Sequence, residues 1–131
     1  MDKKRILIIE DEEDFSKGLQ EILTANGFEI HTASTGKGGL TLARSIQPDL
    51  IILDIMLPEI DGYKICRLLK FDERYKKIPI ILLTARTQDE DEQLGKEAGA
   101  DAYLIKGQKV EALIEQIKTL LAKSHSSSST S

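Results

Sequence analysis

Four short apolar runs constrain this chain more than anything else in it. They lie at residues 6–9 (ILII), 50–53 (LIIL), 78–83 (IPIILL) and 102–105 (AYLI), and each is followed by polar residues with chemical capability: Glu10 and Asp11, Asp54, Thr84 and Lys106. The runs have strand length, and three are rich in Ile without polar alternation, the pattern of strands buried on both faces of a parallel sheet. A fifth segment, residues 28–33 (FEIHTA), alternates apolar and polar and reads as a strand with one wetter face, near a sheet edge. Helical periodicity fills the gaps. Phe15, Leu19, Ile22 and Leu23 form one stripe before the stop signal Asn26-Gly27, and Val110, Leu113, Ile114, Ile117, Leu120 and Leu121 form another. Weaker helical patterns occupy residues 37–46, 63–71 and 89–98; the first contains Gly38 and Gly39, each costing about 1 kcal/mol against Ala in a helix interior. Five β-α repeats with short connections predict right-handed crossovers: a doubly wound (βα)5 α/β fold with a five-stranded parallel sheet, order 2-1-3-4-5, and helices on both faces.

The stretch PDLIILDIMLPEIDGY, residues 48–63, places Asp54 between apolar neighbours on either side. An unpaired charge taken out of water costs on the order of several kcal/mol, so Asp54 needs a partner. In a sheet of order 2-1-3-4-5 ligands bind beyond the carboxyl ends of strands one and three, which brings Glu10, Asp11 and Asp54 together. Three crowded carboxylates repel one another unless a cation joins them. Oxygen donors of this kind suit Mg²⁺, six-coordinate and partly hydrated; Ca²⁺ is disfavoured because no EF-hand loop is present. Lys106 arrives at the same end of the sheet as a fixed second cation.

The remaining features set outer bounds. The chain of 131 residues suits one domain, and a formal net charge of −4 with a pI near 5.2 argues against a basic nucleic-acid face. No run approaches the ~20 apolar residues of a membrane span, and residues 6–9 are too short for the apolar part of a signal peptide, so a cytoplasmic protein is expected. The single Cys66 reads as core filler, and His31 and His125 have no ligand spacing. Residues 1–123 are expected to form the domain, and the Ser-rich residues 124–131 to be a disordered tail, a linker or an expression remnant.

Four pieces in order, ILIIEDE, PDLIILDIMLPEIDGY, PIILLTA and GADAYLIK, resemble the receiver domain of bacterial two-component response regulators over nearly the whole chain. The resemblance implies a phosphorylation-activated switch. Asp54 would accept a phosphoryl group from a histidine kinase or histidine phosphotransfer protein, or from a small phosphodonor. Asp11 and Asp54 would bind Mg²⁺ directly, Glu10 through water, and the backbone carbonyl of Met56 would complete the protein's share. Lys106 would offset charge on the phosphoryl oxygens, Thr84 would hydrogen-bond one of them, and Tyr103 would turn inward in the active state. Turnover of outside substrates is not expected. Ordinary roles compete at each position: Glu10 or Asp11 as first-turn acids of a helix starting near Glu13, Lys106 as a solvated residue, Thr84 as a turn cap and Tyr103 as plain packing. Met56 and Arg86 resemble positions that tune phosphate lifetime, and loop side chains are the alternative.

The chain departs from the family in KGQ, residues 106–108, where relatives have proline after the lysine joined by a cis bond. Without proline a cis bond costs about 3–4 kcal/mol, so a trans Lys106-Gly107 bond is expected. The change leaves open a non-phosphorylated pseudo-receiver that only binds partners. A Mg²⁺-dependent phosphohydrolase is the enzymatic alternative, but its second Asp would fall at Met56, which transfers no proton. A flavodoxin-like cofactor binder lacks a Gly-rich phosphate loop, and Glu10 and Asp11 would repel an anionic cofactor. Ala102 and Gln116, where receivers of winged-helix transcription factors usually carry an acid and an arginine, weaken that output class. The segment FDERYKKIP, residues 71–79, is similar to stand-alone receivers and those joined to histidine kinases or cyclic-nucleotide enzymes. Direct nucleic-acid binding is not expected.

Overall fold

The computed structural model describes residues 3–84, 96–107 and 109–130, with the side chains of 124–130 outside the description. Its elements are β1 (Arg5–Ile9), α1 (Glu13–Ala25), β2 (Glu29–Ala33), α2 (Gly36–Ile46), β3 (Leu50–Asp54), α3 (Gly62–Lys70), β4 (Ile80–Thr84), β5 (Ala102–Ile105) and α4 (Val110–Thr130). The five strands form one parallel sheet in the order β2-β1-β3-β4-β5. The helix expected at residues 89–98 lies outside the described residues except for its end, and so does Arg86. The expectation of an unstructured tail falls on residues whose side chains are not described, although α4 itself continues to Thr130.

The apolar runs form strands because both of their faces are covered. Ile6 and Ile8 of β1, Leu50 and Ile52 of β3, and Ile81 and Leu83 of β4 pack with Leu19 and Leu23 of α1 and Leu113, Ile117 and Leu120 of α4. The alternate residues, Leu7, Ile9, Ile51, Leu53, Ile80 and Leu82, face Ala43 of α2 and Ile65, Cys66 and Leu69 of α3. A period of two thus supplies two cores from one sheet. Burying each such Ile or Leu contributes about 1.5–3 kcal/mol, which offsets the ordering of the strands. The alternating β2 is an edge strand and only partly buried, as its pattern predicts. β4 begins two residues later than the apolar run, at Ile80, because Pro79 has no N–H for the ladder; its carbonyl still accepts from Ile51 N at 3.0 Å. Asp54 and Thr84 are the last residues of their strands rather than the first beyond them.

The glycine-bearing helix α2 forms with a specific compensation. Thr35 Oγ1 caps it by accepting from Gly38 N at 3.0 Å, and Gly39 packs on β1 so closely that a Cβ would lie 2.5 Å from Ile9 Cδ1. Asp61 caps α3 in the same way, accepting from Lys64 N at 2.8 Å. Among the described residues no helix is long and apolar enough to cross a membrane.

Candidate phosphoacceptor site

The pairing of β1 with β3, from Ile6 against Leu50 to Ile9 against Leu53, delivers the ends of both strands to one place. Glu10 continues β1 by donating its N–H to Ala33 O at 3.0 Å, so its side chain turns into the sheet's edge and is 2 % exposed. Asp11 follows on the exposed turn, and Asp54 ends β3 at 2 % exposure. Carboxylate oxygens of Glu10, Asp11 and Asp54 all lie within 4.8 Å of one another. The expected convergence of the three acids is present.

Lys106 closes the cluster from the other side. Its backbone N–H donates to Thr84 O at 2.6 Å, which fixes the residue to β4, and its Nζ lies 2.6 Å from Glu10 Oε1, 3.0 Å from Glu12 Oε1 and 3.2 Å from Asp54 Oδ2. The Phe15 ring of α1 lies beneath the ammonium, 5.0 Å to its centroid. Burial works against the charge of Lys106, but contact with Glu10 and Glu12 outweighs it and raises the pKa above the ordinary lysine value. Glu10 behaves oppositely. Desolvation pushes its carboxyl up to about 7; Lys106 and the Glu12 N–H lower it, while neighbouring Asp54 raises it further. Its Oε1 touches Lys106 as a charge contact but makes no aligned hydrogen bond, leaving a buried oxygen without a full partner.

Three carboxylates, Glu10, Glu12 and Asp54, therefore meet one ammonium, with that of Asp11 beside them. A hard cation fits this donor set: carboxylate oxygens within 4.8 Å of each other, two of the three acids buried, and an excess of negative charge. In an octahedral Mg²⁺ site with bonds of about 2.1 Å, neighbouring oxygens lie ~3 Å apart and opposite ones ~4 Å apart.

The other expected residues fall around this centre. Thr84 ends β4, 2 % exposed and in register with Ile105. Tyr103 is half-buried and packs against the core on the α2–α3 face. Met56 is 66 % exposed, while its backbone N–H donates to Asp54 Oδ1 at 3.0 Å and orients that carboxylate. The Lys106-Gly107 bond is trans, as the absence of proline predicts, and Gly107 takes φ +90°. Helix α1 begins at Glu13 with Glu12 at its N-cap, so neither Glu10 nor Asp11 is the cap. Sequence reasoning missed Glu12. The available signal was a glutamate at a helix start directly after two acids, since Glu is not among the side chains that cap well.

Asp54 thus offers one oxygen to a backbone N–H and the other to an ammonium, at the rim of an acid cluster suited to a divalent ion. Phosphoryl transfer to a carboxylate calls for such a setting, where fixed cations stabilise charge on the moving group. Known proteins resemble this chain over most of its length. The family model described as the response regulator receiver domain matches residues 6–118. The chain is 42% identical over 118 residues to the transcriptional regulatory protein AfsQ1 of Streptomyces coelicolor, covering 90% of this chain and 51% of that protein. It is 41% identical over 119 residues to the DNA-binding dual master transcriptional regulator RpaA of Synechocystis, covering 91% and 49%. It therefore spans about half the length of these curated relatives. Among solved structures, the signal receiver domain of a signal transduction histidine kinase from Syntrophus aciditrophicus superposes with a TM-score of 0.86 at 35% identity, over 92% of this chain and 91% of that one. A CheY-like response regulator receiver domain protein from Methanospirillum hungatei gives a TM-score of 0.90 at 28% identity, over 96% and 99%. The sequence pattern that weakened the transcription-factor class is not decisive, because the relatives include both DNA-binding regulators and a kinase-linked receiver. With fold, acid cluster, lysine and family match in agreement, this chain belongs to the response regulator receiver domain family.

Proposed function

We propose that the chain is a Mg²⁺-dependent switch that takes a phosphoryl group on Asp54 and changes its partner-binding face in response. The observation that carries this reading is the meeting of Asp54 with Lys106 at 3.2 Å beside the Glu10–Asp11 pair. Asp11, Asp54 and the Met56 carbonyl would hold Mg²⁺, with Glu10 acting through water; when bound, the ion supplies charge neutralisation for the acceptor and the phosphoryl oxygens. An Asp54 oxygen attacks phosphorus in line with the leaving group. Lys106 carries its charge to the developing negative oxygens, and the Met56 N–H keeps the acceptor carboxylate oriented. Thr84, at the end of the neighbouring strand, would donate a hydrogen bond to a phosphoryl oxygen, and Tyr103 would turn inward in the active state. The donor would be a histidine kinase or histidine phosphotransfer protein in the cytoplasm. An output domain or separate partner would read the altered face, without nucleic-acid contact by this unit. A pseudo-receiver has less support because Lys106 is aimed at Asp54, and a phosphohydrolase has less because Met56 occupies the general-acid position.

The deciding experiment is incubation with acetyl phosphate and Mg²⁺, followed by intact-mass measurement. One phosphate per chain, labile to hydroxylamine and base as an acyl phosphate is, is expected, lost in Asp54→Asn and on chelation of Mg²⁺. Labelling that persists in Asp54→Asn would defeat the assignment.

A further inference from the structure

We propose that Glu12 sets donor selectivity, holding the mouth of the Asp54 site negative so that phosphodonors with a cationic leaving group are favoured over free anionic acyl phosphates. The inference rests on Asp54 being the acceptor and names the donor class for that site. Glu12 occupies the N-cap of α1 with extended backbone (φ −78°, ψ 106°), yet its side chain makes no capping hydrogen bond. Its N–H is instead pinned by Glu10 Oε2 at 3.0 Å, and its carboxylate reaches across to Lys106 at 3.0 Å. Of the three carboxylates in contact with Lys106, those of Glu10 and Asp54 are 0 % and 3 % exposed, whereas that of Glu12 is 67 % exposed. Of these three, Glu12 is the one open to an arriving donor.

Charge decides what Glu12 does there. With Glu10, Asp11, Glu12 and Asp54 ionised, Lys106 and one divalent cation leave the site with a single residual negative charge. Acetyl phosphate approaches as an anion with a neutral leaving end, whereas phosphoramidate presents a protonated nitrogen. Neutralising Glu12 removes the residual charge that repels the acetyl phosphate anion and that favours the protonated nitrogen of phosphoramidate. In both reactions an Asp54 oxygen forms the new bond to phosphorus. With acetyl phosphate the P–O bond breaks and acetate leaves with the electron pair; with phosphoramidate the P–N bond breaks and the already protonated nitrogen leaves as ammonia with that pair.

The test compares the full chain with Glu12→Gln and Glu12→Asp in saturating Mg²⁺, using acetyl phosphate and phosphoramidate as probes. Glu12→Gln is expected to raise the rate constant with acetyl phosphate about two- to five-fold, the range of an exposed charge pair, and to leave the phosphoramidate rate level or lower. The gap should narrow in about 0.5 M salt, where exposed charges are screened, and Glu12→Asp should restore the wild-type ratio of the two rates. Binding of beryllofluoride, an anionic phosphoryl mimic, should tighten in Glu12→Gln, a readout free of turnover. Equal changes with both donors, or an acetyl phosphate rate that stays level or falls, would overturn the selectivity role. Failure of both donors to label the wild type would instead sink the acceptor assignment, and the inference with it.

Discussion

At the scale of single residues, burial decides how each titrating group behaves. The Glu10 carboxyl, pushed up to about 7 from an ordinary 4.5, holds its proton more tightly in the folded than in the unfolded chain. For a carboxylate raised in this way, the favourable contribution is complete below the unfolded pKa and is lost as pH rises through about 7. Metal-free protein should therefore lose stability between about pH 5 and 8, and Glu10→Gln should flatten that loss, raising the melting temperature at about pH 8 by a few degrees, ~1 kcal/mol. Thermal melts in chelator across this pH range check it; an unchanged or steeper pH slope in the variant would contradict the account. Cys66 shows the same physics in a different group. Desolvation drives its thiol up to about 12, and the residue is fully buried in the α3 core. A thiol reagent at about pH 8 should label it only at the rate at which the fold opens, and faster once denaturant is added.

At the scale of elements, legibility follows the origin of the signal. The strands could be read because burial on both faces leaves uninterrupted Ile-rich runs, and the acid cluster because topology alone brings the ends of β1 and β3 together. What stayed hidden depends on contacts across long sequence separations. The glycines of α2 counted only as helix breakers until Gly39 proved to be the point where the helix rests on Ile9. Gly39→Ala should thus destabilise the fold by about 1–3 kcal/mol through overpacking, although alanine is the better helix former. Denaturant melts measure this, and a stabilised variant would show that Ile9 can yield. Asp101 is a second hidden element. Its Oδ2 accepts from Ile80 N and from Lys70 Nζ, both at 2.8 Å, while Lys70 also donates to Ile78 O at 3.1 Å. One carboxylate so joins α3 to the start of β4 and the approach to β5. Asp101→Ala strands a backbone N–H and an ammonium and should cost about 1–3 kcal/mol.

For the whole molecule, metal binding and folding draw on the same acids. The cluster assembles only when β1 and β3 are paired, so an ion that prefers it binds the folded chain and not the unfolded one. Mg²⁺ at ten times its dissociation constant should then stabilise the fold by about 1.4 kcal/mol, a melting-temperature rise of roughly 3–6 °C for a chain of this size. Because Glu10 gains a proton as pH falls through about 7, the negative charge that attracts the ion diminishes, and the rise should be smaller at about pH 6 than at about pH 8. Asp11→Asn removes an exposed carboxylate, a proposed ligand, without opening the core and should abolish the rise while leaving the metal-free melt near or above that of the wild type, since one repelling charge is gone. Differential scanning calorimetry with and without Mg²⁺, at both pH values and for both proteins, separates these effects. A Mg²⁺-induced rise that survives in Asp11→Asn would place the ion away from the cluster, and with it the source of charge neutralisation on which Asp54 depends.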